Sequence, residues 1–295
     1  MKIKPVVIVP LVFILLFALF AGLLLFVGSR SGGSKSFTRT DKIGVIEVIG
    51  PITQSKQIVN DLKSFERNTK VKAVVLRIDS PGGGVGPSQE IYAAVKALKN
   101  KPVIVSMGSV AASGGYYIAA PAAHIFANPG TITGSIGVIM EFPDIAALLE
   151  KIGVHRRVIK SGTFKDIGSP VREITAAEQV LLQDLIDDVY SQFVTAVATG
   201  RDLDPAIVEK LADGRIFSGS QAKTAGLVDE LGGLQAAIEY AARRVGIEGD
   251  PEVIYPERER GSLLDLFLQR TTSSLQQYLH QAESAQLQML WNVNN

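Results

Sequence analysis

Strands and helices alternate from Lys42 onward, and that order restricts the fold more than any other feature of the chain. "KIGVIEVIG", "VKAVVLRIDS", "KPVIVSMG" and "HIFANPG" are apolar, β-branched runs bounded by turn residues, as buried strands are. Helical patterns separate the first three: "SKQIVNDLKSFERN", then "PSQEIYAAVKALKN" with Ile91, Val95 and Leu98 along one stripe. Parallel strands need such crossovers, so the expected fold class is α/β with a largely parallel sheet covered on its faces. A long helix follows at "TAAEQVLLQDLIDDVYSQFVTAVATG". Thr175 and Glu178 form a capping-box pattern at its start, and Gly200 offers a stop.

Ahead of this region, Pro5 to Gly28 carries no charge. As a helix it would extend about 36 Å at about 1.5 Å per residue, beyond the roughly 30 Å hydrocarbon core of a bilayer. The run exceeds the apolar segment of a cleaved leader and lacks an Ala-x-Ala site, so residues 1–28 are expected to be an uncleaved membrane anchor rather than a signal peptide or a core helix. Lys2 and Lys4 precede it while Arg30, Lys35, Arg39 and Lys42 follow, so charge alone leaves the orientation open. The Gly/Ser-rich residues 29–41 read as a tether, 42–254 as the folded domain, and 255–295 as an amphipathic tail. The tail reads as an oligomer or surface helix, with an interfacial membrane helix or a self-occluding segment as alternatives.

Composition removes several kinds of chemistry. Thirty Lys and Arg against 29 Asp and Glu give a net charge of +1, with no electrostatic footprint for nucleic acid. There is no cysteine, hence no thiolate nucleophile or disulfide framework. Three histidines, His124, His155 and His280, make an imidazole-rich metal site unexpected, and no cofactor is expected.

Two glycine-bearing turns remain. "DSPGGGVGPSQE" sits between a strand and a helix, but lacks both the G-K-[ST] of a phosphate loop and a G-x-G-x-x-G. Its consecutive glycines free backbone amides to converge on one point, as an oxyanion hole requires. In "VSMGSVAASGGYYIAA" the strand is expected to end near Gly108, "SVAA" to turn, and a helix to begin after Ser113. A hydroxyl there lies near a positive helix terminus, with the Gly114 amide as an oxyanion donor. The strict G-x-S-x-G elbow is not met, because Ala111 replaces its first glycine, and Ser113 as a plain N-cap is the competing reading. A nucleophilic serine needs a proton acceptor. The histidines lie at a strand entry, in a charged segment and in the tail; Lys165, in the Gly/Ser/Pro-rich "KSGTFKDIGSP" beside Phe164, is the best lysine candidate.

Taken in order behind the apolar N-terminus, "DSPGGG", "SMGSVAASGGYYIA", "NPGTITGSIGV", "KSGTFKDIGSP" and "GRIFSGSQAKTAGLVDELGG" closely resemble the signal peptide peptidase A family, the short form of protease IV, over roughly Lys42 to Gly246. The resemblance implies a Clp-protease/crotonase-like ββα core and a Ser-Lys dyad peptidase, with Ser113 as nucleophile, Lys165 as general base, and Gly83 and Gly114 as oxyanion donors. It further implies a single-pass protein of the bacterial cytoplasmic membrane, its catalytic domain outside the cytoplasm, forming ring-shaped homo-oligomers that degrade released signal peptides and other apolar peptides. Thr133 and Ser135 are either hydrogen-bonding neighbours of the lysine or residues of a tight turn. His124 departs from the family pattern, where an acidic residue is expected after "PAA". A crotonase-type acyl-thioester enzyme and a non-catalytic ring-forming membrane scaffold are the rival readings.

Overall fold

The computed structural model describes residues 41–257 and 288–290. The anchor and tether expected over 1–41 fall almost entirely outside the described residues, as does most of the tail. Among the described residues no helix is long and apolar enough to cross a membrane.

In chain order the elements are β1 (Lys42–Ile49), α1 (Lys56–Arg67), β2 (Val71–Ser80), β3 (Gly82–Gly84), α2 (Val85–Ala97), β4 (Val103–Ala112), α3 (Gly114–Ala119), β5 (His124–Ala127) and β6 (Ile132–Gly134). There follow α4 (Ala146–Lys151), α5 (Ala176–Arg201), α6 (Pro205–Leu211), β7 (Ile216–Ser218), α7 (Gly219–Thr224), β8 (Glu230–Leu231), α8 (Leu234–Arg244), β9 (Glu252–Ile254) and β10 (Gln288–Leu290). The main sheet runs β9-β1-β2-β4 and then forks, with β5 and β8 continuing from the first half of β4 and β6 and β7 from its second half. Every pairing in it is parallel except β6 with β7. The expected α/β architecture with a largely parallel sheet is therefore present.

Strand periodicity distributes the core. Ile46, Val48, Val74, Leu76 and Ile78 point to the larger apolar cluster, which also holds Leu62 and Phe65 of α1 and Ile91 and Val95 of α2. Ile43, Val45, Ala73 and Val75 alternate with them and meet Ala237, Ile238 and Ala241 of α8 on the opposite face. Fully burying a Leu, Ile or Phe contributes about 1.5–3 kcal/mol, so the two clusters fix the sheet between helical layers.

Two local expectations need revision. β4 does not end near Gly108 but continues through Ala112. It does so because one residue of β2, Asp79, stands opposite the bulged stretch Gly108 to Val110: the Asp79 carboxylate accepts the Val110 N–H at 3.1 Å, and a side chain on Gly108 would lie 2.6 Å from that carboxyl group. α5 does not stop at Gly200. It closes at Asp202, whose left-handed φ of 52° ends the helix, whereas a Cβ on Gly200 would strike the Ala120 carbonyl at 2.3 Å. Within the tail, Gln288–Leu290 pairs antiparallel with β3.

Candidate active site

Ser113 stands where β4 gives way to α3, with φ 52° and ψ −117°. A non-glycine residue is held in such a conformation only when its surroundings over-determine it, and here they do. Upstream, β6 grips the end of β4: Val110, Ala111 and Ala112 pair with Ile132, Thr133 and Gly134, and the Ser113 N–H donates to the Gly134 carbonyl at 2.8 Å. Downstream, every residue of α3 is buried. The Tyr116 hydroxyl donates to the Leu227 carbonyl at 2.9 Å, and Tyr117 packs edge-on against Phe193 of α5 with ring centroids 4.9 Å apart. The strand-to-helix turn is thus tight, as in a nucleophile elbow, although the sequence lacks the elbow's glycine pattern.

The Ser113 side chain makes no capping hydrogen bond to α3. The plain N-cap reading therefore lacks its defining contact. Instead Ser113 lines an open cleft of about 460 Å³ together with Ser135, Val138, Ile139, Ile186 and Tyr190.

The glycine turn faces this serine. Ile52 forms a parallel bridge with Gly83, donating its N–H to the Gly82 carbonyl at 2.8 Å and accepting the Gly84 N–H at 2.9 Å. Main-chain groups alternate in direction along a strand, so the N–H and C=O of Gly83 itself point away from Ile52. On that side stands Gly114: the Gly83 nitrogen is 3.2 Å from where a Gly114 Cβ would lie. The two glycine turns thus lie against one another, and a Cβ on Gly83 would meet the Ile52 carbonyl at 2.2 Å. The Ser80 hydroxyl contributes by accepting the Gly82 N–H at 3.1 Å, a fixing contact that the sequence motif did not single out.

Thr133 and Ser135 separate into two roles. Thr133 is fully buried and donates its hydroxyl to the Ala111 carbonyl at 2.7 Å, tying β6 to β4. Ser135, with φ 49°, donates its N–H to the Arg215 carbonyl at 2.8 Å and lines the Ser113 cleft.

Lys165 is not among the residues lining that cleft. It is exposed, in a turn where its N–H donates to the Gly162 carbonyl at 3.2 Å. Its neighbours are tightly fastened. Asp166 accepts from Lys160 at 2.6 Å and from Arg172 at 2.9 and 3.0 Å, and Arg172 reaches on to Glu178, the buried capping-box residue of α5, at 2.8 Å. Hydrogen bonds from Arg172, then from Lys160, hold the Asp166 carboxyl well below the usual carboxylate range. Those from Arg172 and the Thr175 backbone lower Glu178 to about 2. The exposed turn is therefore anchored to the start of α5.

His124 lies opposite Ile104, near the start of β4 and so at the far end of that strand from Ser113, and stacks on Tyr240 with centroids 4.2 Å apart. It is a packing residue.

The model of Peptidase family S49 matches residues 96–248, which contain Ser113, Gly114 and Lys165. A protease-named protein of Synechocystis sp. is 51% identical over 219 residues, covering 73% of this chain and 78% of its own length. An Enterococcus faecium protein named as signal peptide peptidase SppA is 40% identical over 62% of this chain and 54% of its own. The chloroplastic serine protease SPPA of Arabidopsis thaliana is 35% identical over 79% of this chain and 34% of its own. With more than half of its length matched by that family model, the chain belongs to peptidase family S49.

Proposed function

We propose that the chain is a membrane-anchored serine endopeptidase using a Ser113–Lys165 dyad on a Clp-protease/crotonase-like core. The observation carrying this reading is the close approach of the Gly83 nitrogen to Gly114, next to a serine whose hydroxyl does not cap its helix. Ser113 Oγ attacks a peptide carbonyl and passes its proton to Lys165, which delivers it to the leaving amine. The Gly83 and Gly114 N–H groups hold the tetrahedral oxyanion, a contact worth about 3–4 kcal/mol per donor. Water then adds to the acyl-enzyme with the lysine again as base, releasing the new carboxyl terminus.

The lysine is supplied by a neighbouring subunit of a ring. Supporting this are its exposure and its position outside the lining of the Ser113 cleft of its own chain. Leu148, Ile152, Val158 and the fully exposed Ile159 add an uncovered apolar surface on the same segment of chain. Substrates are extended apolar peptides, including released signal peptides: Val138, Ile139 and Ile186 give the Ser113 cleft an apolar wall. The uncharged run Pro5 to Gly28 supplies the anchor, and the outer face of a bacterial cytoplasmic membrane is the location that the family resemblance implies for the domain.

The test is hydrolysis of a fluorogenic apolar peptide by the full-length chain in detergent, beside Ser113→Ala and Lys165→Ala. Activity lost with either substitution, and a mechanism-based acyl adduct recovered on Ser113, are the expected results. Hydrolysis surviving Lys165→Ala would overturn the base assignment. An inert wild-type oligomer would favour a scaffold.

A further inference from the structure

The cleft that Ser113 lines has a chemically divided wall. Val138 and Ile139, which follow β6, and Ile186 of α5 present aliphatic carbon. Asp187 and Tyr190 of α5 line it too, as does Asp213 from the segment ahead of β7, and both carboxylates are exposed. Ile186 and Tyr190 are four residues apart on the helix, and Asp187 and Tyr190 three, so one face of α5 offers an aliphatic contact and a carboxylate together.

The two carboxylates are not equivalent. Asp213 is clasped by Arg215, which donates to both of its oxygens, and hydrogen bonds from that side chain lower its carboxyl to about 2, so its charge is opposed on the spot. Asp187 accepts from Gln183, one turn earlier, at 2.7 Å, and forms no ion pair among the described residues. Burial raises the Tyr190 phenol, and the Glu209 and Asp213 carboxylates raise it further, so this end of the cleft is electrostatically negative. An aliphatic wall that ends in an exposed carboxylate matches a side chain with a long methylene stem and a cationic head, which lays its stem on apolar surface and keeps its charge in water.

We infer that this cleft selects peptides carrying a lysine or arginine in the segment bound beside Ser113, with Val138, Ile139 and Ile186 along the stem and Asp187 at the charged end. The inference rests on the proposed peptidase site and narrows its substrates from apolar peptides to apolar peptides that contain a basic residue. Asp187 is on this account a specificity-determining residue. Because it is open to water, the selectivity is modest and sensitive to salt: about three- to fivefold, the upper range for an exposed ion pair.

The experiment measures binding without turnover. Fluorescein-labelled Ala/Leu peptides, in which lysine replaces norleucine at one position at a time, are titrated into full-length Ser113→Ala protein in non-ionic detergent. Norleucine has the same stem without the ammonium, so the ratio of the two affinities isolates the charge. At one position the lysine peptide should bind about three- to fivefold more tightly, and the ratio should approach one as salt rises from about 0.05 to about 0.5 M. Adding Asp187→Asn, which keeps the shape and an acceptor for Gln183, should bring the ratio to about one at low salt, and Asp187→Lys should take it below one. A ratio of one at every position, as would follow if a neighbouring subunit's cation held Asp187, a ratio unmoved by both substitutions, or no binding of any peptide would each overturn the inference. Hydrolysis of the same peptides by protein retaining Ser113 reports separately on the peptidase: selective binding without cleavage would sink that function and leave the subsite, whereas unselective binding with cleavage would do the reverse.

Discussion

The Gly83 nitrogen and the Gly114 α-carbon face each other so closely that a methyl group on Gly114 would come within 3.2 Å of that nitrogen and 2.7 Å of the Ser88 hydroxyl. Ser88 is itself pinned, donating to the Gly84 carbonyl at 2.8 Å, so it has little room to yield. Gly114→Ala should therefore fill the space an oxyanion needs while leaving Ser113 in place. Loss of one oxyanion donor typically reduces kcat by about 10²–10³. Steady-state hydrolysis with a circular dichroism control checks this: a folded Gly114→Ala protein with wild-type kcat would place the oxyanion elsewhere.

Thr133→Val separates the two roles open to that threonine. Its hydroxyl is engaged with the Ala111 carbonyl inside the sheet. Removing the donor forfeits one buried hydrogen bond, at a cost of about 0.5–1.5 kcal/mol. The expected result is a lower thermal midpoint with kcat nearly unchanged below the transition. A large fall in kcat without loss of stability would instead indicate that Thr133 serves the base. Ser135, which lines the cleft, is the residue where a kinetic effect is expected.

How far these features can be read from the sequence depends on the range over which each is determined. The strand–helix alternation and the Thr175–Glu178 capping box are local patterns, and the structure contains both. So are the small residues around Ser113. The continuation of β4 past Gly108 is not local: it depends on the Asp79 carboxylate and on the Thr131 hydroxyl, which donates to the Gly108 carbonyl at 2.7 Å. Gly200 looks like a helix stop and is instead a point of contact with the Ala120 carbonyl. Met289 sits in an amphipathic tail with no local sign that it pairs with Gly83, because antiparallel pairing to three glycines asks almost nothing of the incoming side chains. Lys165 is a plain exposed lysine by its surroundings, and only the family motif distinguishes it.

The fastening of the Lys165 turn should respond to acid in a defined direction. Asp166 and Glu178 are both depressed by hydrogen bonds from Arg172, Glu178 from an ordinary 4.5 to about 2. A carboxylate whose folded pKa is lowered contributes stability that is fully present above its unfolded value and is lost as pH falls through the folded value. The contribution should be constant above about pH 5 and decline between about pH 4.5 and 2. Thermal melts of wild type and Glu178→Gln across that range check it. The gap between them should narrow as pH falls; a gap that widens would mean that Glu178 is not held as a charged partner.

If Lys165 acts on the serine of a neighbouring subunit, two inactive proteins should repair one another. Ser113→Ala subunits retain a lysine and Lys165→Ala subunits retain a serine, so a mixed ring contains interfaces where a competent serine meets a competent lysine. Co-expressed and co-purified, the two variants in equal amounts should recover about one quarter of wild-type activity by random assortment, whereas each alone stays inactive. A dyad completed within one chain gives no recovery at any ratio. Ile159→Glu provides the complementary control. Ile159 is fully exposed in the single chain, so a charge there costs the isolated fold little, whereas at a buried apolar interface it would be strongly unfavourable. Reduced mass by light scattering, with activity falling in proportion, would connect assembly to catalysis; a monomer retaining full activity would return the lysine to its own serine.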